Sequence, residues 1–105
     1  MQTKSYLGAL PDPDVQYRVR FDWEHGQITG FMGQLEYDGP NGWQPVLRFD
    51  TAHGFPHSDH YGPDGVEEQH RPMHQRDYRE ALTYAIGYVK NNFALLAQPF
   101  RERHL

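Results

Sequence analysis

The feature that constrains this chain most is a change of period near residue 77. Before it, apolar residues recur at every second position; after it, at every third or fourth. Val15, Tyr17, Val19 and Phe21 alternate with Gln16, Arg18, Arg20 and Asp22, which places the apolar set on one face of a strand. Glu24-His25-Gly26 turns into a second strand over about residues 27–37. There Phe31, Leu35 and Tyr37 share one face, Ile28 and Met32 share the other, and Gly30 and Gly33 imply a bulge or a close backbone approach. Asp38-Gly39-Pro40-Asn41-Gly42 is a turn. A third strand follows over residues 43–50, with Trp43, Leu47 and Phe49 inward. Pro45 has no N–H for a ladder, so that end of the strand reads as an edge.

Gly62-Pro63-Asp64-Gly65 is a turn that closes a second hairpin, joining residues near 57–61 to residues near 66–71. If the turn takes those four residues, Tyr61 faces Val66, His60 faces Glu67, Asp59 faces Glu68 and His57 faces His70. Beyond it, Asp77-Tyr78-Arg79-Glu80 has the form of a capping box. Tyr78, Leu82, Ala85, Ile86, Val89, Phe93 and Leu96 then recur at helical spacing. This predicts a helix over 77–98, about 30 Å long and ended by Pro99. Arg101, Arg103 and His104 in the tail at 99–105 read as a favourable cationic end for it. Residues 1–14, with Pro11-Asp12-Pro13-Asp14, read as an extended lead-in. The expectation is one α+β domain over 1–105: an antiparallel β-meander plus a second hairpin, with one long C-terminal helix packed on the sheet.

Charge and composition narrow the function. A net charge of -4 provides no general basic field for nucleic acid, and protonating the seven histidines would reverse its sign. With no cysteine, a metal site would have to be built from His, Asp and Glu, and a reducing cytoplasm is the compartment that composition suits. The apolar run Leu7-Gly8-Ala9-Leu10 is too short for a signal peptide or a membrane span, so a soluble, cytoplasmic protein without a membrane partner is expected.

Chemistry concentrates in residues 48–60, Arg-Phe-Asp-Thr-Ala-His-Gly-Phe-Pro-His-Ser-Asp-His, which hold three of the seven histidines. Two site readings arise. In the catalytic one, His53 and His57 form an acid–base pair, Arg48 holds a phosphate and Asp50 orients an imidazole. That set suits metal-independent cleavage of RNA, with no cofactor. In the other, His57, Asp59, Glu68 and His70 project from one face of the second hairpin and hold a divalent transition metal such as zinc, manganese or iron. A third reading is a non-catalytic acidic binding or inhibitor protein. Its surface would be the second apolar stripe of the helix, Tyr84, Tyr88 and Leu95, through which a homodimer could also form.

The segment Arg48-Phe49-Asp50-Thr51-Ala52-His53-Gly54, followed by His57, Asp59 and the Pro63-Asp64-Gly65 turn, resembles a family of small prokaryotic proteins. These share an arginine-aromatic-Asp-Thr-Ala-His-Gly segment, a later His-x-Asp, a Pro-Asp-Gly turn and a closing helix. Glu80-Ala81-Leu82-Thr83-Tyr84-Ala85-Ile86 is similar to the start of that helix. More distantly, the arginine-aromatic-Asp segment with its histidine cluster resembles TumE-type toxins of toxin–antitoxin pairs. That resemblance implies a small α+β toxin directed at RNA or translation, with an antitoxin-like protein as partner.

Overall fold

The computed structural model describes residues 1–103. Its elements are β1 (Gln2–Ala9), β2 (Val15–Glu24), β3 (Gln27–Gly39), β4 (Gly42–Asp50), β5 (His57–Tyr61), β6 (Glu67–Pro72) and α1 (Tyr78–Arg103). The strands pair in chain order into one six-stranded sheet, and every pairing is antiparallel. The helix lies over β3 and reaches β4 and β2. This is the expected α+β architecture, with the second hairpin continuing the meander through β4 and β5.

The core follows from the alternation. Val15, Tyr17 and Val19 of β2, Phe31, Leu35 and Tyr37 of β3, and Leu47 and Phe49 of β4 are buried against α1. The helix contributes Ala81, Leu82, Ala85, Val89, Ala97 and Phe100. Asp77 caps it, its Oδ1 accepting from the N–H of Arg79 at 2.8 Å and of Glu80 at 3.1 Å. No helix among the described residues is long and apolar enough to cross a membrane.

Residues 2–9 are not an extended lead-in but the edge strand β1, paired with β2 along its length. Polar and apolar residues in β1 do not alternate strongly, because nearly all of the strand is exposed. The prolines lie outside it, in the link to β2. Gly8 is what lets β1 sit there: a Cβ at that position would overlap the Tyr17 ring, 1.9 Å from Cζ.

The helix also departs from expectation, continuing past Pro99 to Arg103. Pro99 removes the bond that its N–H would give to the carbonyl of Leu95. Both residues are exposed, so water can take that carbonyl. On the other side, Phe100 is buried against Tyr37, with ring centroids 5.9 Å apart. Arg101 reaches Asp12 at 2.6 Å and Asp14 at 2.8 Å. Its role is therefore a tie to the β1–β2 link, not merely a cationic helix end. His104 lies outside the described residues.

Pro45 does fall where β4 lacks a neighbour on one side, since β5 pairs only with Leu47–Asp50. The β3–β4 register shifts between Leu35 and Glu36. That bulge turns Val46 into the core and leaves Trp43, expected inward, exposed on the other face.

Candidate metal centre

Register builds the site. Asp50 lies opposite His57 and Arg48 opposite Asp59 across β4–β5, and Asp59 lies opposite His70 across β5–β6. Directly opposed residues share a face. Arg48, Asp50, His57, Asp59 and His70 therefore project together from the face of the sheet turned away from α1.

The loop between β4 and β5 is tied down at several points. Thr51 exchanges bonds with Phe31 of β3: its N–H donates to the Phe31 carbonyl at 3.2 Å, and its Oγ1 accepts from the Phe31 N–H at 3.0 Å. Asp50 Oδ1 accepts the Ala52 N–H at 3.1 Å. Gly54 turns the chain at φ +85°, a left-handed conformation that favours glycine. Its carbonyl accepts the Tyr78 hydroxyl of α1 at 3.0 Å. The loop thus delivers His57 to β5 in a fixed position.

His57 is 1% exposed. Its Nδ1 lies 3.2 Å from the Phe55 carbonyl oxygen, and its Nε2 lies 2.8 Å from Asp50 Oδ1 and 3.5 Å from Asp59 Oδ2. Carbonyl and carboxylate can only accept, so the neutral ring donates to one and turns a lone pair toward the other. A cation at Nε2 would leave the proton on Nδ1 and remove that conflict. An imidazole whose other N–H is held by a backbone carbonyl is also the usual arrangement of a metal-ligating histidine.

Asp59 joins the two imidazoles, with Oδ2 toward His57 and Oδ1 hydrogen-bonded to Nδ1 of His70. Burial pushes its carboxyl pKa up, but hydrogen bonds from His70 and Glu67 and the charges of His57 and His70 outweigh burial and leave it below the usual value. Donor atoms of His57, Asp59 and His70 all lie within 4.8 Å of one another. Donors on one tetrahedral ion at about 2.0–2.2 Å lie roughly 3.3–3.6 Å apart. Closing this set around a metal therefore needs its widest pair to draw in by up to about 1.3 Å. Asp50, on the other side of His57 Nε2, supplies a second carboxylate. The side chain of His70 is 44% exposed, so the cluster opens to solvent there.

The fourth ligand expected from sequence, Glu68, is displaced. Tyr61 lies opposite Glu67, one residue beyond Val66, and a register shift between His60 and Tyr61 adds one more, so Asp59 faces His70 instead of Glu68. Glu68 turns toward Gly62, where its Oε2 lies 2.7 Å from the position of a Cβ. Glu67 takes the place beside Asp59, and hydrogen bonding to that carboxylate raises its own pKa, with desolvation adding to the rise. Nothing in residue types marks a bulge of this kind, so which of the two adjacent glutamates stands beside Asp59 is not legible in the sequence.

The catalytic set is only partly brought together. His53 lies beside the cluster, its ring centroid 5.3 Å from that of His57 and 6.2 Å from that of His70. Arg48 does not engage Asp50. Its Nε donates to Gln34 Oε1 at 2.6 Å, and its guanidinium lies 5.8 Å from the Tyr61 ring centroid. Gln34 in turn donates to Glu36 at 2.6 Å, and Glu36 also receives Arg18 and Gln16. Sequence reasoning missed this relay. Its signal was the polar half of the period-two pattern in β2, β3 and β4, of which Gln34 and Glu36 are buried although they face away from the helix. Of the residues expected at an interface, Tyr84 and Leu95 are exposed, while Tyr88 packs edge-on against Phe49 with centroids 6.0 Å apart.

No curated protein and no solved structure matches the chain. A family model does, over residues 1–105: that of DUF7718, described as a domain of unknown function. With its whole length matched, the chain belongs to the DUF7718 family.

Proposed function

We propose that this protein binds one divalent transition metal through His57, Asp59 and His70, with Asp50 as a fourth ligand or as the group that holds His57. The observation that carries this reading is His57, buried with its Nδ1 beside a carbonyl oxygen and its Nε2 aimed between two aspartates. Two imidazoles with one or two carboxylates suit zinc, iron or manganese. Arg48, whose terminal nitrogens make no hydrogen bond or ion pair among the described residues, stands opposite Asp59. It is placed to hold an anionic oxygen of a substrate brought to the metal.

A second reading, toxin-like cleavage of RNA without metal, rests on His53 stacked beside His57 and on the same free end of Arg48. It asks less of His57, which is too buried to exchange a proton with a large substrate, and more of His53. An antitoxin-like partner belongs to this reading alone.

Metal analysis of protein purified without chelator tests the first reading. One equivalent of metal is expected, with loss in both Asp59→Asn and His70→Ala and a lower melting temperature in chelator. RNA cleavage that survives chelator and His70→Ala, but falls about 10²–10⁴-fold in His53→Ala, would replace the first reading by the second.

A further inference from the structure

The hairpin that presents the metal ligands on one face presents a different set on the other. Ser58, His60 and Arg71 alternate with His57, Asp59 and His70 along β5 and β6. The register sets Ser58 between Phe49 of β4 and Arg71 of β6, on the side that faces the helix. Yet α1 covers parts of β2, β3 and β4 and stops short of β5 and β6. The gap is a cavity of about 200 Å³. Phe49 and Ser58 floor it, Tyr84 and Tyr88 wall it from the helix, and Met73 and His74 close it from the segment leading into α1.

The chemistry of these walls is one-sided. No carboxylate lines the cavity. Among the described residues, Arg71 makes no hydrogen bond or ion pair. The Ser58 hydroxyl, the His60 imidazole and the two tyrosine hydroxyls likewise have no hydrogen-bond partner. A protein with an acidic balance has thus left one guanidinium fork unpaired beside neutral donors, above an apolar floor. Convergent polar groups on an apolar lining are the composition of a small-molecule site. An engineered cavity of about 150 Å³ takes benzene, so this one has room for a single ring and a small head group.

We propose that the cavity binds a small organic oxyanion, a carboxylate or phosphate carried on one planar ring. Arg71 holds the head group as a two-pronged donor, with Ser58 and His60 supplementing it. The ring lies against Phe49 and Met73 and beside the paired Tyr84 and Tyr88 rings, whose centroids are 6.0 Å apart. This site is independent of the metal: it uses the opposite side chains of the same two strands.

The test is a titration of the full chain, in buffer free of phosphate, with benzoate and separately with phenyl phosphate. Backbone amide resonances report the site, and inorganic phosphate serves as the ringless control. Saturable shifts at Ser58, His60, Arg71 and Tyr84 are expected with at least one ringed anion, and the tighter of the two identifies the head group. Inorganic phosphate should bind about tenfold more weakly or worse, and Arg71→Gln should weaken the ringed anion by about tenfold or more. Tyr84→Ala should weaken it as well. Both residues are exposed, so these variants keep the fold. The proposal is overturned if neither ringed anion saturates at millimolar concentration, if Arg71→Gln binds as well as wild type, or if the shifts centre on His57 and His70. It is also overturned if Tyr84 and Tyr88 shift with protein concentration alone, which would assign the groove to a second copy of the chain.

Discussion

Nε2 of His57 and Oδ1 of Asp50 lie 2.8 Å apart, on adjacent strands that a tied loop holds in register. The Phe55 carbonyl at its other ring nitrogen and the Asp50 carboxylate can both only accept, so a neutral His57 ring donates to one and turns a lone pair toward the other. Under the proposed function a metal ion at Nε2 would leave the proton on Nδ1, remove that conflict and draw in Asp59 and His70.

Asp50→Asn probes that contact. The amide keeps the shape but removes a charge, whether Asp50 ligates the metal or orients His57. Metal affinity, measured by competition with a chromophoric chelator, should fall about 10–100-fold. The melting temperature of the metal-free protein should change little or rise, since one of two facing carboxylates has gone. An unchanged affinity would remove Asp50 from the centre.

Glu36 gives the fold an acid-labile support. Its side chain is 6% exposed. Burial pushes its pKa up, but hydrogen bonds from Arg18, Gln16 and Gln34 outweigh burial and hold it below the ordinary 4.5. A carboxyl depressed in the folded state stabilises that state fully above the unfolded value, and the contribution is lost as pH falls through the folded one. Glu36→Gln should therefore be destabilised near neutrality, by about 1.5–3 kcal/mol for charged hydrogen bonds removed. The gap from wild type should narrow progressively below pH 4.5. Equal acid sensitivity in both proteins, by urea unfolding across pH, would contradict this assignment.

The helix beyond Pro99 is held by packing more than by charge. Phe100 is 2% exposed, and Phe100→Ala should cost about 3–5 kcal/mol. Arg101 is partly exposed and meets Asp12 and Asp14 near the surface, so Arg101→Ala should cost only about 0.2–1 kcal/mol for each pair. Chemical denaturation of the two variants measures the difference. Comparable losses would mean that the ion pairs, not the ring, fix the last turn.

Legibility in the sequence followed the strength of the local pattern. The alternation of Val15–Asp22 and the helical stripe from Tyr78 were visible because one face of each element meets the core. β1 was not, because both its faces meet solvent and its anchor is a missing side chain at Gly8. Pro99 misled because proline breaks a helix by default, and only tertiary contacts of Phe100 and Arg101 override it. At the site, His57, Asp59 and His70 were readable as one face of a hairpin, since a two-residue change of register preserves that face. The exchange of Glu68 for Glu67 was not, because a bulge beside Tyr61 decides it. Ser58, His60 and Arg71 were equally present in the alternation, but side chains of these types carry no distinctive signal until the short reach of α1 leaves a gap above them.

The central claim is that His57, Asp59 and His70 form one metal centre, and the most direct measurement is a titration of metal-stripped protein with Co²⁺ under visible absorption. The account predicts d–d bands that grow linearly to one equivalent and then stop. They should be displaced by Zn²⁺ and absent from His70→Ala, whose exposed position leaves the fold intact. A featureless titration, or bands of equal strength in His70→Ala, would contradict it.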